Sequence, residues 1–168
     1  GEVDREPVYR PVPGSGYAPD AAAVTAAVDA LVAAERPVLH VGQGVLFAEA
    51  TDELIQVAEA LDAPVVTTMP GKSAFPENHP LSVGASAITK PAHLLAAYAA
   101  ADCIFAIGSS LTKTTYGTSL PPEAGVPGGK VLIQATVSEE DVHKDYAVDH
   151  ALVGDARLVL QAVAAEPS

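Results

Sequence analysis

The 168-residue sequence has no tryptophan, a single cysteine and few basic residues. Cys103 excludes an internal disulfide, and its place in the apolar run 103–107 predicts a buried thiol in a strand rather than a nucleophile. Nine lysine and arginine residues stand against 21 aspartate and glutamate residues, which gives a formal net charge of -12. This acidity disfavours nucleic acid and anionic membranes as partners, because both are negatively charged.

Long apolar segments are also missing from the sequence. No apolar run approaches the ~20 residues that span a bilayer, and no basic segment precedes an apolar one near the start. We therefore expect a cytoplasmic protein with no membrane partner. The sequence begins with Gly1 rather than methionine, and this predicts that the chain is a piece of something longer.

The hydrophobic residues alternate between two patterns along the chain. Four segments carry apolar residues at helical spacing: 20–35, 48–61, 91–101 and one that begins at Asp155. Five short runs have no polar alternation: 38–41, 64–68, 103–107, 130–136 and 151–153. Such runs are typical of strands that are buried on both faces of a parallel sheet. The pattern predicts an α/β fold with a doubly wound, mainly parallel, six-stranded Rossmann-like sheet.

Residues 1–19 differ from the rest of the chain in composition. They contain four prolines and the Gly14-Ser15-Gly16 segment, and they have almost no hydrophobic periodicity, which is typical of a linker. Asp20 then provides an N-cap for the first helix. We divide the chain into an interdomain linker at 1–19 and one domain at 20–168, which is long enough to bury its own core.

The glycine turn Gly42-Gln43-Gly44 follows the first predicted strand, where dinucleotide-binding folds carry a glycine fingerprint. The match is incomplete, because Phe47 occupies the third glycine position and the next strand ends in Thr67-Thr68 instead of an acid. The sequence therefore disfavours a standard NAD site. A turn that serves only chain geometry is the main alternative.

Other catalytic patterns are incomplete. The five histidines show no paired spacing of the kind that metal ligands have. Gly108-Ser109-Ser110 lacks the closing glycine of a serine-hydrolase nucleophile elbow. Its hydroxyl groups could bond a phosphate or a sugar at a strand end, or simply cap a polar loop. The acidic run 139–141 favours a helix N-terminus, with Ser138 as its cap.

A proline-rich segment, TTMPGKSAFPENHPL at 67–81, directly follows the second predicted strand. Pro70, Pro76 and Pro80 exclude a long helix or a central strand here. Loops at the carboxyl ends of parallel strands form the ligand-binding edge of an open α/β sheet. The segment is therefore expected to be an ordered loop beside a crevice.

Four stretches in order and spacing resemble one family: RPVLHVGQGV at 36–45, PVVTTMPGKSAFPENHPLSVG at 64–84, ADCIFAIGSSL at 101–111 and DHALVGDARLVL at 149–160. They are similar to the central domain of thiamine diphosphate (TPP)-dependent enzymes of the acetolactate synthase and decarboxylase family. The resemblance covers about 20–163 and implies a DHS-like NAD/FAD-binding fold. It also implies that Phe75 anchors the loop at 67–81 against the body of the domain.

The resemblance implies a larger enzyme in which this domain is not catalytic. The family's catalytic glutamate and magnesium-binding G-D-G motif lie in a pyrimidine-binding domain and a diphosphate-binding domain, which flank the central one. The expected function is a structural, interdomain module of a carboligase or decarboxylase that acts on 2-oxo acids. The parent would hold thiamine diphosphate and magnesium and form a homodimer or homotetramer. The isolated domain would be inert, with no cofactor or metal of its own.

Some relatives bind FAD, ADP or coenzyme A in a crevice of the central domain. The resemblance and the strand-end turns assign these residues to that crevice: Gly42, Gly44, Thr68, Met69, Gly71, Gly84, Gly108, Ser109 and Ser110. Relatives with FAD resemble G-A-R and D-I-D where this sequence has Gly108-Ser109-Ser110 and Thr136-Val137-Ser138. The absence of the arginine, whose contacts with phosphate are charge-assisted, argues against tight FAD binding and for a vestigial crevice.

Two alternatives remain open at the level of sequence. In the first, the domain is a regulatory module that binds an adenine nucleotide, with the backbone amides of Gly42, Gly44 and Gly108 and nearby hydroxyls holding the phosphates. In the second, the chain is a free-standing Rossmann-like binding protein. The sequences that flank the chain distinguish the second alternative from the others. The parent's substrate is not encoded in this segment.

Overall fold

The computed structural model describes residues 16–87, 91–113 and 120–166, so most of the predicted linker lies outside the described residues. The strands are β1 (Pro37–Val41), β2 (Val65–Thr68), β3 (Ser82–Ser86), β4 (Cys103–Ile107), β5 (Val131–Thr136) and β6 (His150–Val153). The helices are α1 (Ala21–Ala33), α2 (Gly44–Phe47), α3 (Thr51–Ala60), α4 (Ala92–Ala100) and α5 (Ala156–Ala165), with a 3₁₀ turn at Glu139–Asp141. Each predicted strand and helix corresponds to one of these elements.

The six strands form one parallel sheet in the order β3-β2-β1-β4-β5-β6. The first three strands step outwards from β1 to one edge, and the last three step outwards from β4 to the other. The direction of winding therefore reverses between β1 and β4, where Val38 pairs with Ile104 and Val41 pairs with Ile107. The predicted doubly wound, six-stranded α/β fold is confirmed.

Both faces of the sheet are covered, which explains why the strand sequences lack polar alternation. Successive residues of β1 enter different cores: Leu39 and Val41 lie in one, and Val38 lies in the other. The first core is closed by α1, α3 and α5. The second is closed by α4, through Leu94 and Tyr98, and by irregular segments.

Side-chain caps fix the starts of the first and last helices. The Asp20 carboxylate accepts a hydrogen bond from the Ala23 amide at 3.0 Å. Asp155 accepts hydrogen bonds from the amides of Arg157 and Leu158. Aspartate at this position satisfies amide groups that have no partner within the helix. The predicted cap at Asp20 is confirmed, and the last helix begins at Asp155 as predicted.

The hydrophobic pattern does not predict two elements, β3 and the short helix α2. Strand β3 reads SVGAS and is largely half-buried, because it lies at the sheet edge and pairs only with β2. Helix α2 is a single turn that begins at Gly44. β3 consists mainly of small and polar residues, and α2 has only four residues, so neither shows a regular spacing of apolar residues.

The acidic run at 139–141 forms one 3₁₀ turn, and the Ser138 side chain makes no capping hydrogen bond. The prediction of a helix N-terminus capped by Ser138 is therefore wrong. The chain leaves helical geometry at Val142, which is extended, and His143 has a left-handed φ of 60°. The segment bends here because it must reach the start of β6 within a few residues.

The proline-rich loop after β2 is tied to the domain by Phe75, which is 1% exposed and packs in the first core. The Thr51 hydroxyl donates a hydrogen bond to the Ala74 carbonyl at 3.1 Å. The His79 ring meets the Phe75 ring edge-on, with their centroids 4.8 Å apart. These contacts confirm the expected ordered loop with Phe75 as its anchor.

Cys103 is buried in β4, as predicted. Burial raises the pKa of its thiol to about 12, with a further contribution from the nearby Asp102 and Asp149 carboxylates. Such a thiol stays protonated and unreactive at neutral pH. Within the described residues, no helix is both long and apolar enough to cross a membrane.

Candidate functional site

A crevice of about 350 Å³ opens at the carboxyl edge of the sheet. Gly42 and Gly44 follow β1, Thr68 ends β2, Ser86 ends β3 and Gly108 follows β4, and all five residues line the opening. The crevice lies where the winding direction reverses, between β1 and β4. Doubly wound folds bind ligands at this position, because the loops on either side diverge and leave a gap.

Most of the residues predicted for the crevice line it. Seven of them do so: Gly42, Gly44, Thr68, Met69, Gly108, Ser109 and Ser110. Gly71 and Gly84 are not among the lining residues. Gly71 packs on the backbone of Val41 and Gly42, and Gly84 lies within β3 with a φ of 96°. A role in nucleotide binding stays a prediction for all nine.

The glycines of the crevice bring two turns into direct backbone contact. A β-carbon on Gly42 would lie 2.2 Å from the carbonyl oxygen of Gly108, and one on Gly44 would lie 2.7 Å from the Gly108 Cα. Gly108 itself has a φ of 60°, a conformation that glycine adopts readily. The packing of the protein on itself therefore explains these glycines without any ligand.

The amide groups of the same glycines already have hydrogen-bond partners. The Gly42 amide donates to the Ile107 carbonyl at 2.8 Å, and the Gly44 amide donates to the Gly108 carbonyl at 2.9 Å. The Gly108 amide donates to the Ala135 carbonyl, also at 2.9 Å. The expectation that these three amides are available to a phosphate is therefore wrong.

The charges around the crevice also disfavour a phosphate. No lysine or arginine is among its lining residues in the described part of the chain, whereas Asp141 is. The Asp141 carboxylate accepts a 3.4 Å hydrogen bond from the Thr136 hydroxyl and lies 3.7 Å from the Lys144 ammonium group. A diphosphate needs several donors or a cation to offset its charge. Among the described lining residues, a phosphate would find hydroxyl groups but no cation, so a tightly held diphosphate is disfavoured.

Metal ligands are not grouped in the described ranges. No set of three or more histidine, cysteine, aspartate or glutamate side chains there could hold a metal ion. Asp141 therefore belongs to no group of three such side chains in these ranges, whereas magnesium prefers several oxygen ligands. The described residues do not fit the magnesium that accompanies thiamine diphosphate.

His40 lines the crevice and is bonded to a buried tyrosine, Tyr98, which is not among the lining residues. His40 is 2% exposed, and its Nδ1 atom lies 2.6 Å from the Tyr98 hydroxyl oxygen. Burial lowers the pKa of His40 to about 4. Burial also raises the pKa of Tyr98, with the Tyr146 hydroxyl adding to the effect. Both side chains are uncharged at neutral pH.

A second buried polar group comes from the end of β3. Ser86 is 1% exposed, and its hydroxyl oxygen has no hydrogen-bond partner among the residues that the structure describes. Sequence reasoning missed His40, Ser86 and Asp141 as lining residues. His40 could have been found, because it lies near the carboxyl end of the predicted strand at 38–41, the edge at which the crevice was expected. Ser86 gave no signal, since β3 itself was not predicted.

The outer part of the crevice is apolar and open to solvent. Phe47, Met69 and Val137 line it, and their exposed fractions are 79%, 50% and 61%. Groups of large, exposed apolar side chains are uncommon on protein surfaces except at binding sites. The arrangement combines an apolar mouth with an uncharged, hydrogen-bonding interior.

Comparisons with known proteins agree with this fold. Residues 24–163 match the family described as "Thiamine pyrophosphate enzyme, central domain". The chain is 33% identical over 173 residues to the "Probable acetolactate synthase large subunit" of Methanocaldococcus jannaschii, which covers 96% of this chain and 28% of that protein. It is 35% identical over 154 residues to the acetolactate synthase large subunit of Corynebacterium glutamicum, with 92% and 23% covered.

A solved structure is similar over nearly the whole chain. Benzoylformate decarboxylase from Polynucleobacter necessarius superposes with a TM-score of 0.72 at 25% sequence identity. The similarity covers 98% of this chain and 30% of the decarboxylase chain. The chain thus spans about a quarter of the length of the two curated relatives and under a third of that of the solved structure.

Proposed function

Because the chain belongs to the thiamine pyrophosphate enzyme central-domain family, we propose that it is the central, non-catalytic module of a thiamine diphosphate-dependent carboligase or decarboxylase. Residues 20–168 form the proposed module, and 1–19 form an interdomain linker. The observation that carries the proposal is the match over 24–163, which includes all of the sheet. The parent enzyme would act on 2-oxo acids in the cytoplasm.

The chemistry of the module supports a structural role. The sequence contains no G-D-G motif, and the described residues hold no metal-ligand cluster. A pyrimidine-binding domain and a diphosphate-binding domain of the same parent would hold thiamine diphosphate and magnesium. The parent would assemble as a homodimer or homotetramer. In this arrangement the module spaces and orients the two outer domains, and it supplies no reacting group.

Titration calorimetry with thiamine diphosphate and magnesium tests the non-catalytic assignment. The chain should give no saturable heat, because the described residues include no cluster of ligands for the metal that accompanies the diphosphate. Micromolar binding would contradict the proposal. The coding sequence on either side gives an independent test of the parent. A glutamate-bearing pyrimidine-binding domain before the chain and a G-D-G motif after it are expected, and a free-standing reading frame would favour a separate binding protein instead.

A second candidate function is a nucleotide-binding regulatory module of the same parent. The convergence of Ser109 and Ser110 with the turn after β1 at one crevice favours it, because hydroxyl groups can bond a phosphate. Asp141 and the engaged glycine amides oppose it. Titrating FAD and ADP against the chain and against Ser110→Arg tests this candidate. We expect weak or no binding by the unmodified chain, whereas binding at micromolar concentration would establish the regulatory candidate.

A further inference from the structure

We propose that a groove at the amino edge of the sheet, opposite the crevice, binds a small organic cation that combines an apolar body with a protonated amine or guanidinium group. The inference goes beyond the proposed function, which assigns no ligand to this edge. It rests on three features of this amino-edge groove: an apolar lining, two carboxylates, and the carboxyl ends of three helices.

Three helices end together at the amino-edge groove. α1 and α3 lead into the starts of β1 and β2, and α5 begins directly after the carboxyl end of β6. All three helices therefore run against the strand direction, on one face of the sheet, and their carboxyl ends reach its amino edge. The lining residues come from 28–35, 57–61 and 163–166, together with Pro37 at the start of β1.

The lining is apolar apart from two carboxylates. Ten of its twelve residues are alanine, valine, leucine or proline. Val28, Leu31 and Val57 are buried, whereas Val32 is 53% exposed. The volume of about 420 Å³ lies within the usual range for small-molecule sites. An apolar ligand body in the groove would cover surface that is otherwise in contact with water.

The two charged residues of the lining are both acidic. They are Glu35 and Glu166, and no lysine or arginine lines the groove in the described part of the chain. The Glu166 carboxylate accepts a 2.6 Å hydrogen bond from the Thr25 hydroxyl and makes no salt bridge with another described residue. Glu35 lies 3.5 Å from the Arg36 guanidinium, but both side chains are mostly exposed, and such a pair is weak. A cation in the groove would therefore find a carboxylate without a counter-ion.

The helix ends add to the negative field of the groove. The last carbonyl groups of a helix have no partner within it, and the helix dipole places about half a negative charge there. None of α1, α3 and α5 has a basic residue in its last turn to offset this charge. A protonated amine would take the place of such a residue. A carboxylate would be repelled, since the chain also has a formal net charge of -12.

Three probes with the same apolar body test the inference: 2-phenylethylamine, 2-phenylethanol and 3-phenylpropanoate. They share the phenylethyl group and are positive, neutral and negative at pH 7. In NMR titrations at low salt, the amine should bind saturably and roughly fivefold more tightly than the alcohol, as expected of a partly exposed charge pair. The carboxylate should bind no more tightly than the alcohol, and added salt should narrow the preference for the amine.

The amide signals that shift with the amine should belong to the lining at 28–37, 57–61 and 163–166. No saturable binding of the amine, or equal binding of the amine and the alcohol, would overturn the inference. Shifts centred on the crevice at the opposite edge would overturn it as well.

Two pairs of variants locate the site and test its charge. Ala164→Phe, on an exposed part of α5, should abolish amine binding by filling the groove, without lowering the melting temperature. Ala96→Phe, on the exposed face of α4, should leave binding unchanged. Glu166→Gln keeps an acceptor for the Thr25 hydroxyl and should reduce the preference for the amine over the alcohol. Glu140→Gln removes the same charge from the turn after β5 and should not. Unchanged binding in Ala164→Phe, or an unchanged preference in Glu166→Gln, would refute the site.

Two other occupants of the groove are distinguished by the same measurements. Shifts of the lining amides that depend on protein concentration, without amine, would assign the groove to contacts between copies of the chain. Amine binding that tightens when residues 1–15 are removed would assign it to that segment, which contains Arg5 and Arg10. We expect neither effect, and either would overturn the inference.

Discussion

Asp102 and Arg36 are joined by two reciprocal hydrogen bonds. The Arg36 amide donates to the Asp102 carboxylate at 3.0 Å, and the Asp102 amide donates to the Arg36 carbonyl at 3.3 Å. The same carboxylate accepts a 2.8 Å hydrogen bond from the Glu35 amide. These bonds connect the segment before β1 to the segment before β4, so they align the starts of the two strands that meet at the sheet centre.

Asp102→Ala should reduce the free energy of unfolding by roughly 1–3 kcal/mol, because two backbone amides lose a charged acceptor. Burial raises the pKa of Asp102, but the hydrogen bonds from Glu35 and Arg36 outweigh it, so the net shift is downward. Because the pKa of this carboxyl group is lower in the folded chain than in the unfolded chain, it stabilises the fold at pH values above its unfolded-state pKa. This contribution is lost as the pH falls through its folded-state pKa. Urea denaturation at pH 7 and pH 3 measures both effects. Asp29→Ala, on the exposed face of α1, is the control and should change stability by less than about 0.5 kcal/mol.

Gly42→Ala should destabilise the protein severely, by more than about 3 kcal/mol, because the new methyl group would overlap the Gly108 carbonyl. Gly84→Ala is the matched comparison. Its β-carbon would meet no atom within 4 Å, but its φ of 96° disfavours alanine, so a smaller loss of roughly 1–2 kcal/mol is expected. Chemical denaturation of both variants measures whether Gly42→Ala loses more unfolding free energy than Gly84→Ala. A milder effect at Gly42 than at Gly84 would show that the two turns can separate without loss of stability.

The His40 ring should make stability depend on pH between 6.5 and about 4. The unfolded chain takes up a proton near the ordinary pKa of 6.5, whereas the folded chain does so only near 4. Stability that is complete above pH 6.5 is therefore lost as the pH falls towards 4. At about 1.4 kcal/mol per pH unit, the loss is about 3 kcal/mol.

The double variant His40→Leu with Tyr98→Phe isolates this contribution. It removes the buried pair together, so neither partner is left without a hydrogen bond. Tyr98 is the titratable group in contact with His40, and Asp141 is the charged group that shares the crevice. Denaturation midpoints at pH 7 and pH 4.5 should differ less in the variant than in the parent sequence. An equal difference would assign the pH dependence to carboxylates elsewhere.

The Cys103 thiol should resist alkylation while the protein is folded. Burial in β4 removes it from solvent and holds its pKa near 12, so the reactive thiolate is scarce at pH 8. Iodoacetamide labelling followed by mass spectrometry should be slow without urea and fast above the unfolding midpoint. Rapid labelling of the native protein would show that β4 opens locally without global unfolding.

The sequence predicted the strands that are buried on both faces and the edge strand β6, but it did not predict β3, at the other edge of the sheet. β1 and β4 read as continuous apolar runs because every residue in them meets a core. β3 carries Ser82, Gly84 and Ser86, and Val83 is its one large apolar side chain, so no apolar run marks its pairing with β2. An edge strand of this kind forms because a neighbouring strand is present to pair with it. The hydrophobic pattern of its own residues carries no information about that neighbour.

The position of the crevice could be predicted, but its chemistry could not. Strand-end turns converge in any doubly wound sheet, so Gly42 and Gly108 were expected near one another. That the Gly44 amide would donate to the Gly108 carbonyl depends on how closely the two turns approach in space. The same holds for Asp141, which lies in the 3₁₀ turn after β5 and lines the crevice.

The pairing of β1 with β4 also determines how the chain can fold. Pro37 pairs with Cys103, a separation of 66 residues, and every other pair between these strands has the same separation. Closing so long a loop costs chain entropy before any contact at the centre compensates for it. Parallel sheets with such distant pairs have high contact order and fold slowly. The first core combines α1 and α3 from one half of the chain with α5 from the other, so the surface of the first half is fully covered only after the second half has docked beside it.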